Sequence, residues 1–395
     1  MIEAKPYKLI NQIQNYEWGT RGKDAFIPRL LGFEGEGNKP YAELWIGGHP
    51  KLSSEILIDG NVHSLKDVVE QFPTDILGKE VADKFGNKIP FLLKVLSANK
   101  ALSIQTHPNK MDAIEFHKHD PQNYPDDNHK PEIAITLDSL LSLVGFRQLD
   151  EIIDNIKKYS QLNDFIGDET VNVFLLNKTK IGLKNIFSEL MNQSTEYEKL
   201  DKAIKLLISE FEQKAQCSDD EKLFLTLYQQ YGVDIGLLVL FFLNVINLKP
   251  GEAIYTPAGI PHAYLKGNIV ECMANSDNVV RAGLTPKFKD IIQLSNILTY
   301  EYGDIELVGK NINRNIKEYR VTADEFEIEM INLNKESIEF NTGNRIEIIL
   351  LIEGAITCRG LEIKKGETLL FPALLNKYSI ASEGNSKLFR IVVPK

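Results

Sequence analysis

Hydrophobic positions along the chain follow three successive patterns. Up to about residue 147, short apolar stretches such as Tyr41–Ile46 and Ile89–Leu96 alternate with Gly, Pro, Asn and Asp, which predicts strands separated by turns. From about 148 to 232 the apolar positions recur every three or four residues, which is typical of helices. From Ile235 onwards the strand pattern returns and continues to the end of the chain. The sequence therefore predicts a mainly β protein with a helical insertion.

Two apolar stripes support the prediction of the helical insertion. The first is Leu183, Ile186, Phe187, Leu190 and Met191, and the second is Ile204, Leu207, Ile208 and Phe211. Residues at these spacings share one face of a helix, so each stripe is a face that packs against another helix. We expect several antiparallel helices here, and nothing in the stripes indicates a cofactor site.

An internal repeat divides the β regions into two modules. Leu248–Ala258 aligns without gaps on Ile363–Ala373, and extending the alignment places His262 opposite Lys377. A duplicated jelly-roll module is the economical interpretation, with a metal site in the first copy only. A chance similarity of two hairpins is the alternative. The predicted divisions are 1–147 and 233–310 for the two parts of the first module, 148–232 for the helical insertion and 311–395 for the second module.

The charge and cysteine content limit the partners and the compartment. The formal net charge is −10 over 395 residues, which disfavours binding to nucleic acid or to an anionic membrane. The longest apolar run, Ile235–Leu243, is about half the length of a membrane span. Cys217, Cys272 and Cys358 are far apart, and Met1–Tyr7 lacks the pattern of a secretory leader. We therefore expect a cytoplasmic protein that is not built on disulfides.

Four residues provide donors for a divalent metal ion. Gln105 and His107 are two apart in a predicted strand, so their side chains point to the same face. Glu132 follows Pro131 at the start of another predicted strand, and His262 follows a proline-stiffened turn. Two imidazoles, one carboxylate and one amide oxygen suit Zn²⁺, with room for a substrate oxygen. Each fragment alone is a weak signal, because a single His is more often a satisfied polar residue.

A long polar connection, residues 108–131, contains three further histidines. Loops of this length in a compact domain are usually functional. His117 and His119 have the spacing of a second metal pair, but no strand pattern or carboxylate array accompanies them. Solvated histidines are therefore the favoured interpretation of that pair.

Several motifs in a fixed order extend over nearly the whole chain. They are Asn15–Gly19, Tyr41–Trp45, Phe91–Ser97, Leu102–Pro108, His129–Glu132, Tyr255–Tyr264 and Glu271–Lys287. In these residues the chain resembles the type I mannose-6-phosphate isomerases (phosphomannose isomerases), which are zinc enzymes of the cupin superfamily. The resemblance implies two cupin-type jelly-roll modules plus an α-helical domain. The first cupin would be catalytic and interrupted by the helical domain, and the C-terminal cupin would be metal-free.

The resemblance also implies a role for each candidate site residue. The ligands of one Zn²⁺ per chain would be Gln105, His107, Glu132 and His262. The catalytic residues would be Arg281, Lys130, Glu271 and His129, and the substrate-binding residues would be Lys94, Ser103 and Lys287. The implied reaction interconverts mannose 6-phosphate and fructose 6-phosphate by proton transfer through a cis-enediol. The resemblance does not decide which residue is the catalytic base, and the candidates are Glu271, Lys130 and His129.

Two side chains outside the metal site have chemistry that suits this reaction. The planar, permanently charged guanidinium of Arg281 can stabilise an enediolate or hold a phosphate group. Lys94 lies in an apolar strand, where burial lowers the pKa of an unpaired ammonium. A surface arginine and a solvent-facing strand lysine are the alternatives.

The sequence is also compatible with two other functions. One is a non-catalytic zinc cupin that binds sugar phosphates, against which the intact Arg281, Lys94 and Lys130 argue. The other is an iron-dependent cupin oxygenase, which the amide donor Gln105 disfavours. No glycine-rich segment typical of nucleotidyl transfer accompanies the motifs, which argues against the bifunctional type II enzymes. The expected partner is a small sugar phosphate, and the expected state is a monomer.

Overall fold

Strands form most of the regular structure outside the middle of the chain. The computed structural model describes residues 2–395. The strands, in chain order, are β1 (Tyr7–Ile10), β2 (Gln12–Gln14), β3 (Thr20–Arg21), β4 (Pro40–Tyr41), β5 (Glu43–Ile46), β6 (Glu55–Ile58), β7 (Asn61–Ser64), β8 (Phe91–Ala98), β9 (Ile104–Thr106), β10 (Glu132–Phe146), β11 (Leu243–Leu248), β12 (Ala253–Thr256), β13 (His262–Ala274), β14 (Val280–Gly283), β15 (Lys310–Asn311), β16 (Ile316–Tyr319), β17 (Glu327–Asn334), β18 (Ser337–Asn341), β19 (Glu347–Glu353), β20 (Ala355–Cys358), β21 (Leu361–Lys364), β22 (Thr368–Phe371), β23 (Lys377–Ala381) and β24 (Asn385–Val392).

The helices are concentrated between β10 and β11. They are α1 (Phe26–Leu31), α2 (Leu65–Gln71), α3 (Pro73–Ile76), α4 (Lys79–Phe85), α5 (Lys110–His119), α6 (Leu149–Lys158), α7 (Ser160–Ile166), α8 (Asp168–Leu176), α9 (Lys180–Gln193), α10 (Tyr197–Glu212), α11 (Asp219–Tyr231), α12 (Gly236–Val239) and α13 (Ile291–Ile297), with a 3-10 helix at Leu240–Phe242. Within residues 2–395, none of these helices has the length and apolarity needed to cross a lipid bilayer. The fold is thus mainly β with a helical insertion, as predicted.

Two local predictions need correction. The polar connection 108–131 contains a helix, α5, whose N-terminus is capped by the Asn109 side chain. The chain returns to strand at Leu243 and not at Ile235, because the intervening residues form α12 and a 3-10 turn. The buried Asp234 carboxylate accepts the backbone N–H of Gly236 at 2.7 Å and stabilises that turn. A short, wholly apolar run does not distinguish helix from strand by its period.

One nine-stranded sheet, here called the site sheet, is built on the order β11-β10-β13-β8-β5-β2. β12 pairs with β10, and β9 pairs with both β13 and β14. Side chains alternate between the two faces of each strand. On the back face, Ile133, Val270 and Cys272 share a buried cluster with Phe326 and Ile348 of the C-terminal part. The residues next to them point to the opposite face, which carries the candidate site.

A second nine-stranded sheet, the C-terminal sheet, has the order β15-β16-β17-β24-β19-β22-β1-β6-β7. Its strands β1, β6 and β7 come from the N-terminal region, and Tyr7 of β1 lies opposite Leu370 of β22. A four-stranded sheet, β18-β23-β20-β21, packs on the C-terminal sheet around a core that includes Phe340, Leu351 and Leu388. The predicted divisions at 147, 232 and 310 stay predictions.

The repeated segment forms the same turn in both places. Between β11 and β12, the Glu252 carboxylate accepts the backbone N–H of Lys249 at 2.8 Å. Between β21 and β22, the Glu367 carboxylate accepts the backbone N–H of Lys364 at 2.7 Å. Equal partners at equal spacing confirm that the aligned segments have the same local structure.

The helical insertion packs by its predicted stripes. The stripe on α9 is fully buried, and the stripe on α10 is buried except for one half-buried residue. α11 begins with a capping box in which Ser218 and Glu221 each accept the other's backbone N–H. Glu221 also accepts hydrogen bonds from Lys214 and Tyr159 at 3.0 and 2.9 Å. Burial by itself would raise the pKa of Glu221, but these bonds and Lys158 outweigh it and lower the pKa to about 2.

Replacing Glu221 tests this buried cluster. Glu221→Gln keeps the shape but loses charge-assisted hydrogen bonds, so the free energy of unfolding should fall by about 1–3 kcal/mol. The folded-state pKa is depressed from 4.5 to about 2, so this stabilisation is present above pH 4.5 and is lost as the pH falls towards 2. Urea denaturation at neutral pH and at about pH 3 measures both effects.

Glu210→Gln is the matched control for that experiment. Glu210 is half-buried near the end of α10, where it pairs with the same Lys214 at 2.9 Å and accepts a hydrogen bond from Gln161 at 3.0 Å. Its loss should change the free energy of unfolding by no more than about 0.5 kcal/mol. Equal losses in the two variants, or a Glu221→Gln loss that does not shrink at acid pH, would contradict the assignment.

Candidate active site

Three buried side chains converge on the inner face of the site sheet. His262 Nε2 lies 2.9 Å from Glu132 Oε1, and His107 Nε2 lies 3.3 Å from Glu132 Oε2. One donor atom from each residue lies within 4.8 Å of the others, and all three residues are fully buried. The structure therefore brings together three of the four predicted metal donors as one cluster.

The fourth predicted donor, Gln105, shares their face of the sheet. Gln105 lies on β9 directly opposite His262 of β13 and opposite Arg281 of β14. Residues that oppose one another in antiparallel strands project from the same face. Gln105, His262 and Arg281 thus form a row across three strands, and His107 follows two residues after Gln105.

Hydrogen bonds fix the two imidazoles with one nitrogen facing inwards. His107 Nδ1 donates to the Asn278 carbonyl at 2.8 Å, and His262 Nδ1 donates to the Ile260 carbonyl at 3.0 Å. Both Nε2 atoms then carry lone pairs, and neither they nor Glu132 Oε2 has a hydrogen-bond partner among the described residues. Lone pairs facing a carboxylate repel one another unless a cation lies between them. The donor set therefore fits a divalent ion such as Zn²⁺.

The protonation states of these ligands suit metal binding. Burial lowers the pKa of His107 to about 4, so its imidazole is neutral. Burial by itself would raise the pKa of Glu132, but the charge of Lys130 holds it well below its usual range. Lys130 Nζ lies 3.3 Å from Glu132 Oε2, and the Tyr264 hydroxyl donates to Oε1 at 3.1 Å. The carboxylate is thus ionised and held in place.

Lys94 is buried beside two carboxylates and an aromatic ring. Its ammonium lies 3.1 Å from Glu271, 3.7 Å from Glu43 and 5.3 Å from the centre of the Trp45 ring. Burial by itself would lower the pKa of Lys94, but the two carboxylates outweigh it and raise the pKa. The pKa of Lys94 is therefore not lowered, in contrast to what is expected of an unpaired lysine in an apolar strand. Burial raises the pKa of Glu271, and the nearby Glu132 adds to that shift.

His129 contacts a carboxylate in the C-terminal part of the chain. Its Nε2 lies 2.6 Å from Glu325 Oε1, a buried carboxylate just before β17 in the C-terminal part. This pair ties the segment that precedes Glu132 to the C-terminal part of the chain. His129 thus pairs with Glu325, whereas Lys130 lies against the metal donor Glu132.

The remaining candidates surround the site less closely. Arg281 is half-buried, and no acidic side chain within residues 2–395 forms an ion pair with it. Ser103 lies in the loop before β9, and Lys287 is exposed in the segment after β14. Neither Ser103 nor Lys287 forms a side-chain hydrogen bond or an ion pair with a metal donor within the part of the chain that the structure describes.

Family models match two adjoining parts of the chain. Residues 7–149 match the catalytic domain of phosphomannose isomerase type I, and residues 145–243 match its helical insertion domain. Together these matches cover more than half of the chain. The chain belongs to the type I phosphomannose isomerase family.

Relatives within the phosphomannose isomerase family cover between 76% and 99% of the chain. Mannose-6-phosphate isomerase 2 of Arabidopsis thaliana is 36% identical over 96% of this chain and 91% of its own length. The mannose-6-phosphate isomerase of Homo sapiens is 41% identical over 76% of this chain and 74% of its own length. A zinc-bound mannose 6-phosphate isomerase structure superimposes with a TM-score of 0.85 at 32% identity, covering 99% of this chain and all of the other.

Sequence reasoning missed three groups that complete the site in this family member. They are Glu43 beside Lys94, the Tyr264 hydroxyl on Glu132, and the Asn278 carbonyl that orients His107. Glu43 carried a usable signal, because opposite charges in two apolar strands indicate a buried pair. The Asn278 carbonyl carried none, since every residue has a backbone carbonyl.

Of the pair His117 and His119, only His119 is exposed, as the favoured interpretation expects, whereas His117 is half-buried. Both lie on α5, where His117 bonds to the Tyr124 carbonyl and His119 pairs with the exposed Glu115. Within residues 2–395, the only group of three or more His, Cys, Asp or Glu donors that could hold a metal is the one at Glu132. The second metal pair is therefore not supported.

Proposed function

We propose that this chain is a zinc-dependent aldose–ketose isomerase that interconverts mannose 6-phosphate and fructose 6-phosphate through a cis-enediol. The observation that carries the proposal is the buried donor cluster of His107, Glu132 and His262, with two inward lone pairs and no protein partner. Relatives named mannose-6-phosphate isomerase, matched over most of the chain, support the same reaction and substrate.

Gln105, His107, Glu132 and His262 would hold one Zn²⁺. When bound, the ion supplies Lewis-acid polarisation of a substrate carbonyl oxygen and stabilises the negative charge that develops there. The protein keeps the Nε2 lone pairs of His107 and His262 free for the metal, because both Nδ1–H groups donate to backbone carbonyls. The reaction involves no change of oxidation state at the metal, which suits zinc.

Glu271 and Lys130 would transfer the proton between C1 and C2 of the substrate. Glu271 is buried, and burial raises its pKa, which brings a carboxylate closer to the range useful for acid–base catalysis. Lys94 stays charged beside Glu271 at 3.1 Å and holds that carboxylate in position. His129 is bound to Glu325, so we place it among the groups that position the Lys130 segment.

The cationic side chains of Arg281 and Lys287 would bind the anionic substrate. Arg281 has no acidic partner among the described residues and lies in the same row as Gln105 and His262. Its guanidinium offers paired donors to a phosphate or to an enediolate oxygen. Ser103 and Lys287 complete the proposed substrate-binding set, in a chain whose net charge of −10 would otherwise repel the phosphate.

The broader assignments follow from the same family. We place the catalytic cupin in residues 1–147 and 233–310, the helical domain in 148–232 and a metal-free cupin in 311–395. Three cysteines without disulfide spacing support a cytoplasmic location. We take the partner to be a small sugar phosphate. The net negative charge supports a monomer that binds neither nucleic acid nor membrane.

Metal analysis combined with a coupled assay tests the function. The purified protein should contain about one zinc per chain and should form fructose 6-phosphate from mannose 6-phosphate. Removing zinc with a chelator should abolish turnover, and adding zinc back should restore it. A protein that holds zinc and binds mannose 6-phosphate without converting it would overturn the proposal in favour of a non-catalytic sugar-phosphate cupin.

A further inference from the structure

The two cations proposed to bind the substrate lie on either side of one turn. Arg281 is on β14, and Lys287 follows after the chain turns at Leu284 and Thr285. Leu284 is buried and has a backbone φ of +53°. A residue with a side chain rarely adopts a positive φ, so the surrounding structure has to hold this turn. Whatever holds the turn also fixes how the two cations are placed relative to each other.

The buried carboxylate of Asp234 binds the backbone of this turn. Asp234 Oδ1 accepts the N–H of Leu284 at 2.5 Å, and Oδ2 accepts the N–H of Thr285 at 3.4 Å. Oδ1 also accepts the N–H of Gly236 at 2.7 Å. Hydrogen bonds to an ionised carboxylate are stronger than those between neutral groups. One side chain therefore joins the start of α12, where the helical insertion ends, to the end of β14.

The backbones of α12 and β14 touch at two glycines. A Cβ atom on Gly236 would lie 2.6 Å from the backbone nitrogen of Leu284. A Cβ atom on Gly283 would lie 2.6 Å from the backbone nitrogen of Gly236. Non-bonded heavy atoms normally lie about 3.5–4.0 Å apart, so neither position has room for a side chain. The close approach brings the Asp234 carboxylate within reach of the turn.

The same contacts continue along the chain to Lys287. The Thr285 hydroxyl oxygen accepts the backbone N–H of Lys287 at 3.1 Å. Lys289 Nζ donates to the Thr285 carbonyl at 3.2 Å and lies 3.8 Å from Asp234 Oδ2, so its charge is balanced within the turn. Lys287 is exposed and forms no ion pair with an acidic side chain within residues 2–395. Of the two lysines, Lys287 therefore has the charge that a substrate anion can use.

We propose that Asp234 is a positioning residue for substrate binding, which holds the turn at Leu284 and Thr285 so that Arg281 and Lys287 both reach the sugar phosphate. The inference rests on the proposed function, because that function assigns the two cations to the substrate. Asp234 does not itself touch the substrate, since it is buried and its carboxylate already accepts three backbone N–H groups. The helical insertion thus contributes to the substrate site through the segment in which it rejoins the site sheet.

Binding of D-glucitol 6-phosphate to the zinc-loaded protein tests the role of Asp234. This probe has the phosphate group of the substrate but no carbonyl group, so it cannot be isomerised. Asp234→Asn should raise the Kd of the probe and the KM for mannose 6-phosphate about tenfold, the effect of weakening one charge-assisted hydrogen bond to phosphate. kcat should change by less than about threefold, because the phosphate contact is the same in the bound substrate and in the transition state. Zinc content should not change, since no metal donor lies on β14 or in the turn.

Two further variants separate positioning from a general loss of stability. Glu221→Gln also replaces a buried carboxylate of the helical insertion by an amide, but its hydrogen bonds go to Tyr159, Lys214 and Ser218 within the insertion. It should lower the melting temperature without raising the Kd of the probe. Thr285→Val is nearly isosteric and removes the hydroxyl that binds the N–H of Lys287, so it should raise that Kd about threefold to tenfold. Thr285→Val decides the question if Asp234→Asn does not fold.

Binding and turnover together distinguish the failure of this inference from the failure of the proposed function. The inference is overturned if Asp234→Asn and Thr285→Val bind the probe no more weakly than Glu221→Gln, if Asp234→Asn lowers kcat alone, or if the wild type does not bind the probe. A wild type that binds D-glucitol 6-phosphate but does not convert mannose 6-phosphate would overturn the isomerase function. In that case the comparison of Kd values would still decide the role of Asp234.

Discussion

His262→Ala is expected to remove zinc binding and mannose 6-phosphate turnover together. The substitution deletes one of three buried donors and leaves Glu132 with a single imidazole opposite it. Loss of a group that only orients a ligand costs about 10–100-fold in metal affinity, so losing a ligand itself should cost at least about 100-fold. Zinc content after dialysis and the coupled isomerase rate, measured on the same preparation, check this result.

His119→Ala is the matched control for the ligand variant. His119 is an exposed histidine of α5 that pairs with Glu115 outside the site. It should keep both zinc and activity. Zinc should also raise the melting temperature of the wild type and of His119→Ala, but not of His262→Ala, because only a bound ligand stabilises the folded state. Full activity in His262→Ala would show that the metal has been placed wrongly.

Lys94→Met is expected to cause the largest loss of stability. It removes the only ammonium in contact with Glu43 and Glu271, and both carboxylates are buried. Leaving a buried charge without its partner costs about 3–5 kcal/mol. Turnover should fall as well, because the proposed acid–base residue Glu271 would lose the group that positions it. Guanidinium denaturation of the zinc-loaded protein and steady-state kinetics measure the two effects.

A second substitution separates the charge effect from a packing effect. The double variant Lys94→Met with Glu271→Gln removes one of the orphaned carboxylates, so it should recover part of the lost stability but not the activity. Lys66→Met is the surface control, since Lys66 pairs with the exposed Glu70 and should change stability by less than about 1 kcal/mol. A Lys94→Met protein as stable as Lys66→Met would refute the buried ion cluster.

The strongest sequence predictions rest on local geometry. Gln105 and His107 alternate along a strand, and the stripes of the helical insertion repeat at helical spacing, so short-range periodicity was enough to place them. The structure also brings together His107, Glu132 and His262, which the family motifs connect across the chain, and the role of the four predicted donors as zinc ligands stays a prediction. Their hydrogen-bonded orientation could not be predicted, since it depends on backbone carbonyls brought close by the fold.

The features that the sequence did not predict depended on non-local packing. The apolar run from Ile235 has no period that separates helix from strand, and its helical start rests on the buried Asp234. The expected behaviour of Lys94 depended on whether it had a partner, and Glu43 becomes its neighbour only because β5 lies beside β8. The contact of His129 with Glu325 requires the C-terminal part to pack against the site sheet, and the proton-transfer role of His129 stays a prediction.

The pairing of Tyr7 with Leu370 constrains how the chain can fold during synthesis. These strands are about 360 residues apart, so at 5–20 residues per second β1 waits on the order of tens of seconds for its partner to leave the ribosome. Until then β1 and the β6–β7 hairpin have an unpaired edge, which is a ready site for aggregation or for a chaperone. We therefore expect the C-terminal sheet to close only after β22 has left the ribosome, whereas the helical insertion can fold earlier because its helices are close together in the chain.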